Sequence, residues 1–133
     1  MGLAILALVA WQLQSPVVQV TGGDATARNS VRQHELEILA DAMVQYQAAH
    51  GGAGVSLPAA DTEICLTTGP DCDAAHLVDL HYLIGTAGLN SLPADPSGGL
   101  TAGGSGYMIS QAGGQLRLSA PRAEGGVGID VTR

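Results

Sequence analysis

The chain has 133 residues, enough for one domain of ordinary size, and it is rich in glycine and poor in aromatic residues. It contains 19 Gly and no Phe, and its formal net charge is −7. A surface with this charge repels phosphate backbones, which argues against a nucleic-acid-binding protein. A small domain with few aromatic side chains builds a shallow core, so we expect an additional support such as a disulfide or neighbouring subunits.

The N-terminal segment is apolar. Residues 1–23 carry no ionisable side chain, and Asp24 is the first charged residue. The run as far as Trp11 is rich in strong helix formers, and the stretch after it alternates polar with apolar residues. We expect a break or loosening of the helix at Pro16, Gly22 and Gly23. The sequence therefore divides into an apolar segment, residues 1–24, and an acidic globular domain, residues 25–133.

Three interpretations of the apolar segment are open. A secretory signal peptide normally starts with positive charge, and no Lys or Arg precedes the apolar run. A membrane anchor would hold an external domain at the bilayer. A helix that leaves the membrane to pack against copies of itself would satisfy its glutamines between helices. In that third case the packing residues are Leu3, Ile5, Leu6, Leu8, Val9, Trp11 and Leu13.

Residues 25–49 have the pattern of an amphipathic helix. Apolar residues recur at spacings of three and four, which predicts one buried face. The predicted stripe consists of Leu36, Leu39, Met43 and Tyr46. Arg32 and Glu35 are expected largely outside it. The glycines after His50 are typical of a helix C-terminus.

The two cysteines, Cys65 and Cys72, have six residues between them, and these include a Gly-Pro-Asp turn signal. This is not a usual zinc spacing, although His76 and His81 are near in sequence. We therefore predict a disulfide in an oxidising compartment, within a disulfide loop region at residues 50–91. Closing so short a loop stabilises a fold by about 2.5 kcal/mol in the chain-entropy model. Apolar residues from Ala74 to Leu89 are compatible with a short helix on the sheet.

Residues 92–133 are predicted to form a β-meander. Two strands, 107–110 and 115–119, are separated by a plausible hairpin loop. The alternation in 127–131 indicates a third strand. Packed on the buried face of the helix, these strands predict an α+β fold with a helix against an antiparallel sheet.

Taken in order, these segments resemble bacterial type IV pilins and type II secretion pseudopilins. The apolar start and the loosened stretch lead into 27–33 and then the helix that ends at glycine, as in the N-terminal half of those proteins. Farther on, Leu92-Pro93-Ala94-Asp95-Pro96-Ser97-Gly98-Gly99 resembles their Leu-Pro-x-Asp-Pro-x-Gly turn. The sequence departs from the family in two respects: residues 1–23 lack the glutamate that such pilins usually carry near the start of the mature helix, and Met1 stands where their mature chain often begins with an N-methylated Phe.

The resemblance implies a long N-terminal helix, apolar in its first half and loosened in its middle, packed on a small C-terminal antiparallel sheet. It implies a structural subunit of an extracellular, cell-surface filament that is inserted in the inner membrane before assembly. The implied partners are copies of the chain itself and a pilus or secretion assembly machinery, with motility, adhesion, DNA uptake and secretion left open as roles. The alternative is a membrane-anchored extracytoplasmic binding module that stays monomeric.

No catalytic residue, cofactor or metal is predicted. The serines lack a Gly-x-Ser-x-Gly context, and the glycine-rich stretches lack the Lys-Ser/Thr pair of a phosphate loop. Asp71 with Asp73, or Asp95 with nearby carbonyls, would be the candidate calcium ligands, but the EF-hand pattern is absent. The sequence therefore predicts a protein that is not an enzyme.

Overall fold

The structure, a computed structural model, describes residues 24–51, 56–66 and 70–133. The positions expected to pack in a filament core (Leu3, Ile5, Leu6, Leu8, Val9, Trp11 and Leu13) lie outside the described residues. The same holds for the positions expected to loosen the helix, Pro16, Gly22 and Gly23. What the structure describes is an α+β fold, with one long helix and a four-stranded antiparallel sheet.

The long helix, α1, spans Asp24–Ala49 and so begins one residue before the predicted start. Its end is closed by a hydrogen bond from the backbone N of His50 to the carbonyl of Tyr46, at 3.1 Å, and Gly51 follows with φ of 64°. The buried residues of α1 are Arg32, Leu36, Leu39, Ala40, Ala42 and Met43. The prediction that Arg32 lies outside the buried stripe is therefore wrong, and its side chain is 0% exposed.

The sheet contains four strands in sequence order, each antiparallel to its neighbour. They are β1 (Thr62–Cys65), β2 (Gly104–Ala112), β3 (Gln115–Ser119) and β4 (Asp130–Thr132). The predicted hairpin is confirmed as β2–β3, and its two-residue loop has φ of 59° at Gly113 and 80° at Gly114. Positive φ at both positions is the requirement of a type I′ turn, which glycine meets without steric cost.

The predicted short helix between Ala74 and Leu89 is wrong. The segment contains the end of a five-residue helix, α2 (Pro70–Ala74), and a 3₁₀ turn at His81–Leu83. Between them Val78 is extended beside β1, because its carbonyl accepts from Cys65 N at 2.7 Å and its own N donates to Glu63 O at 2.9 Å. These bonds to β1 replace the helical ones.

The core lies between α1 and the inner face of the sheet. Leu36, Leu39 and Met43 from the helix are at most 1% exposed. The sheet contributes Tyr107, Ile109, Leu116 and Leu118, which are at most 2% exposed. The expected alternation around Arg117 is confirmed, since both flanking leucines are buried and Arg117 is exposed.

A disulfide joins Cys65 at the end of β1 to Cys72 in α2, with Cα atoms 5.7 Å apart and both residues buried. It therefore ties α2 to the end of β1. Among the described residues, no helix has both the length and the apolar character needed to cross a bilayer.

Candidate functional site

The N-terminal third of α1 is joined to the rest of the domain by polar contacts. We call these residues the Arg32 network: Arg28, Asn29, Arg32, Asp95, Ser97 and Glu124. The first buried apolar residue of α1 is Leu36, one turn after Arg32. The network therefore fixes the point at which the helix enters the domain.

All five N–H donors of the Arg32 guanidinium are used. Nε and Nη2 donate to the two carboxylate oxygens of Asp95 at 2.8 and 3.1 Å, and Nη2 also donates to Ser97 Oγ at 2.9 Å. Nη1 donates to Asn29 Oδ1 at 2.9 Å and to Glu124 Oε2 at 2.7 Å. The fork of Arg matches a carboxylate in two parallel bonds, which a lysine could not do.

Both side chains of the Arg32–Asp95 pair are 0% exposed. The hydrogen bond with Asp95 is the main cause that raises the pKa of Arg32, so the guanidinium stays charged. Removing one partner from such a pair leaves a buried charge without compensation, which typically costs about 3–5 kcal/mol. The pair therefore fixes the position of α1 relative to the turn at Asp95.

The Leu-Pro-x-Asp-Pro-x-Gly stretch is the turn that presents Asp95. Gly98 N donates to Asp95 O at 2.9 Å, and Ser97 N donates to Asp95 Oδ1 at 2.7 Å. Asp, Pro and Gly occupy the first, second and fourth places of this turn, as a type I turn favours. Gly106 packs against it with φ of 85°, and a Cβ there would lie 2.5 Å from Gly98 O.

Glu124 connects the network to the loop before β4. Its carboxylate accepts from Arg28 Nε at 2.6 Å and from Arg32 Nη1 at 2.7 Å. Its backbone is held by Asn29, which donates to Glu124 O and accepts from Glu124 N, each at 3.0 Å. The hydrogen bonds from Arg28, and then those from Arg32, lower the pKa of Glu124 to about 2.

A second buried carboxylate, Glu63 of β1, holds the loop that leads into β2. It accepts from Leu100 N at 2.7 Å, from Thr101 Oγ1 at 2.8 Å and from Gly106 N at 2.9 Å. Gly104 crosses directly over the carboxylate, and a Cβ on Gly104 would collide with it. A glycine is thus required at Gly104, the first residue of β2, by the close approach of the backbone to an acidic side chain.

Glu35 lies beside the network at the edge of a cavity of about 390 Å³. The cavity is lined by Glu35 and Ile38 of α1 and by residues 87–91 and Pro93. Glu35 Oε1 accepts a hydrogen bond of 2.6 Å from the hydroxyl of the buried Tyr107. Burial raises the pKa of Glu35, and the Tyr107 hydrogen bond opposes this shift.

An aromatic cluster lies at the other end of α1. The ring of His50 stacks on Tyr46 with centroids 4.0 Å apart, and Tyr82 packs on Tyr46 at 4.7 Å. Tyr82 and Ile84 are 38% and 43% exposed, so this end of the domain presents apolar surface.

The structure places the site residues considered from the sequence as follows. The structure contains the Cys65–Cys72 disulfide. Asp95, considered as a calcium ligand, has both oxygens engaged by Arg32. Within the described ranges, no three His, Cys, Asp or Glu side chains form a metal-binding group.

Sequence reasoning missed the Arg32 network, although one signal for it was present. Arg32 is four residues before Leu36 and so continues the predicted apolar stripe by one turn. An arginine on a buried stripe needs a carboxylate partner, and Asp95 follows in the Leu-Pro-x-Asp-Pro-x-Gly turn. Glu124 carried no comparable signal, because it lies in an irregular loop.

Comparison with known proteins gave no family model, no curated protein and no solved structure that matches this chain. The likeness to pilins and pseudopilins therefore stays a prediction from the motifs.

Proposed function

We propose that this chain is the structural subunit of a type IV pilus-like extracellular filament and polymerises through its apolar N-terminal segment. The observation that carries the proposal is the junction at the start of α1. A stretch of 23 residues without an ionisable side chain leads directly into a helix whose first turns are fixed to the domain by the Arg32 network.

The two parts of the chain that meet at this junction have different roles in the proposed filament. Residues 1–23 bundle with those of other copies and form the filament core. The acidic domain lies outside the core. The Arg32 network couples the position of the helix to that of the rest of this domain. The subunit is inserted in the inner membrane before assembly and is delivered to the filament by an assembly machinery.

The alternative is a membrane-anchored extracytoplasmic binding module that stays monomeric. It would use the same apolar segment, and the cavity beside Glu35 or the surface at Tyr82 would take a ligand. The two functions differ in what residues 1–23 contact, which is lipid in the anchor and neighbouring helices in the filament.

A tryptophan scan of Ala4, Ala7 and Ala10 separates the two. A larger apolar side chain leaves membrane partitioning intact, because the segment stays hydrophobic. It disrupts close packing between helices at the positions that face a neighbour. We expect at least one variant to lose filaments, measured by sedimentation and electron microscopy, while it still fractionates with membranes. Leu8→Ile is the conservative control and should keep both properties. If every tryptophan variant behaves like wild type in both assays, the monomeric anchor is favoured.

A further inference from the structure

The carboxylate of Glu35 lacks a cationic partner in the described part of the chain. Its Oε1 accepts from Tyr107, and no salt bridge to Glu35 is formed there. The charge of His34 lowers the pKa of Glu35, but it is the smallest of the effects on that carboxyl. A half-buried carboxylate pays a desolvation penalty that a cation in the adjacent cavity would offset.

The chain has few cations that could fill this place. It contains no Lys, and its five Arg all lie in the described ranges. Four of them form salt bridges with carboxylates of the same chain: Arg28, Arg32, Arg117 and Arg133. Arg122 is exposed and donates only to the carbonyl of Gly99, at 2.8 Å, without a carboxylate partner in the described residues.

We propose that Arg122 of one copy docks in the Glu35 cavity of a neighbouring copy, where its guanidinium pairs with the carboxylate. The inference rests on the proposed filament and names a contact between the acidic domains of neighbouring copies. The charges are complementary, and the cavity of about 390 Å³ holds a guanidinium with ease. A contact between two different patches is head-to-tail, which builds an open helical filament when the rotation does not close.

If Arg122 pairs with Glu35 of a neighbouring copy, removing either charge should weaken filament formation to the same extent. Glu35→Gln keeps an acceptor for Tyr107 and removes the charge, and Arg122→Gln removes the other charge. Each variant should raise the critical concentration for filament formation about tenfold at low ionic strength. The double variant should be no worse than either single one, because both remove the same interaction.

Each control removes one charge of the same sign at a different site on the domain. Glu37→Gln changes an exposed carboxylate on α1 whose contact is Gln33, and Arg133→Gln changes an exposed arginine paired with Asp41. Both should leave the critical concentration within about twofold of wild type.

The measurement is sedimentation of the full chain after removal of detergent, with circular dichroism to verify that each variant is folded. If wild type forms filaments but Glu35→Gln and Arg122→Gln match their controls, or if their effects add, the docking of Arg122 is wrong and the filament stands. If only Glu35→Gln weakens assembly, the cavity binds a different cation and Arg122 is not its occupant. If wild type forms no filaments, the proposed function fails and the contact fails with it.

Discussion

At Arg32, five N–H donors meet five acceptors on four different residues, and the side chain is fully buried. Burial of a charge is tolerated only when it is paired and hydrogen-bonded, and both conditions are met here. Arg117, on the outer face of the sheet, offers a contrast. It pairs with Asp61 and Asp130, but its side chain is 44% exposed.

Arg32→Gln should therefore lower the free energy of unfolding by about 3–5 kcal/mol, because it leaves Asp95 buried without its cation. Arg117→Gln is the matched control and should cost less than about 1 kcal/mol, since water screens its ion pairs. Denaturant unfolding of the full chain, followed by circular dichroism, measures both. Equal costs for the two variants would show that the buried pair is worth no more than a surface one.

The acid side of the stability profile should depend on Glu124. Its pKa in the folded state is about 2, below the ordinary 4.5, so its ion pairs stabilise the fold above about pH 4.5. This contribution is lost as the pH falls from 4.5 towards 2. Glu35 acts in the opposite direction, because its raised pKa favours protonation in the folded state.

Glu124→Gln isolates the contribution of the Glu124 ion pairs to stability. The melting temperature of wild type should exceed that of the variant at neutral pH, and the difference should shrink as the pH is lowered through this range. A difference that stays constant on acidification would mean that the charge of Glu124 does not stabilise the fold.

At the scale of elements, the long helix and the β2–β3 hairpin followed from local patterns. Spacings of three and four predicted α1, and two strand-like stretches joined across residues 111–114 predicted the hairpin. Strand β1 was missed, because only four residues form it and their burial does not alternate. Its partner strand begins at Gly104, far along the chain, so no local signal marks the pairing. The Arg32 network was missed for a related reason, since its members come from three distant segments.

The close approach of β2 to the turn at Asp95 offers a test of one element. Gly106 and Gly114 both have positive φ, 85° and 80°, but only Gly106 is crowded, by Gly98 O and Asp95 Cβ. Gly114→Ala measures the conformational cost alone, about 1–2 kcal/mol. Gly106→Ala should cost at least about 2 kcal/mol more, because the added methyl displaces the turn that presents Asp95. If thermal or denaturant unfolding gives the same cost for both, the turn is not constrained by this close approach.

At the scale of the whole molecule, the charge distribution separates two parts of the chain. All twelve acidic residues and all five arginines lie from Asp24 onwards, and the first 23 residues have no ionisable side chain. Most of the arginines are bound to carboxylates of the same domain, which leaves the surface acidic. Such an acidic domain stays in solution while the apolar segment associates, as the proposed filament subunit requires.

We propose that copies of this chain polymerise through residues 1–23. Electron cryomicroscopy of the full chain, taken from detergent into aqueous buffer, tests it most directly. We expect helical filaments with a core of bundled N-terminal helices, surrounded by the acidic domains. Monomers that need detergent and form no filament under any condition would contradict it and favour the anchored binding module.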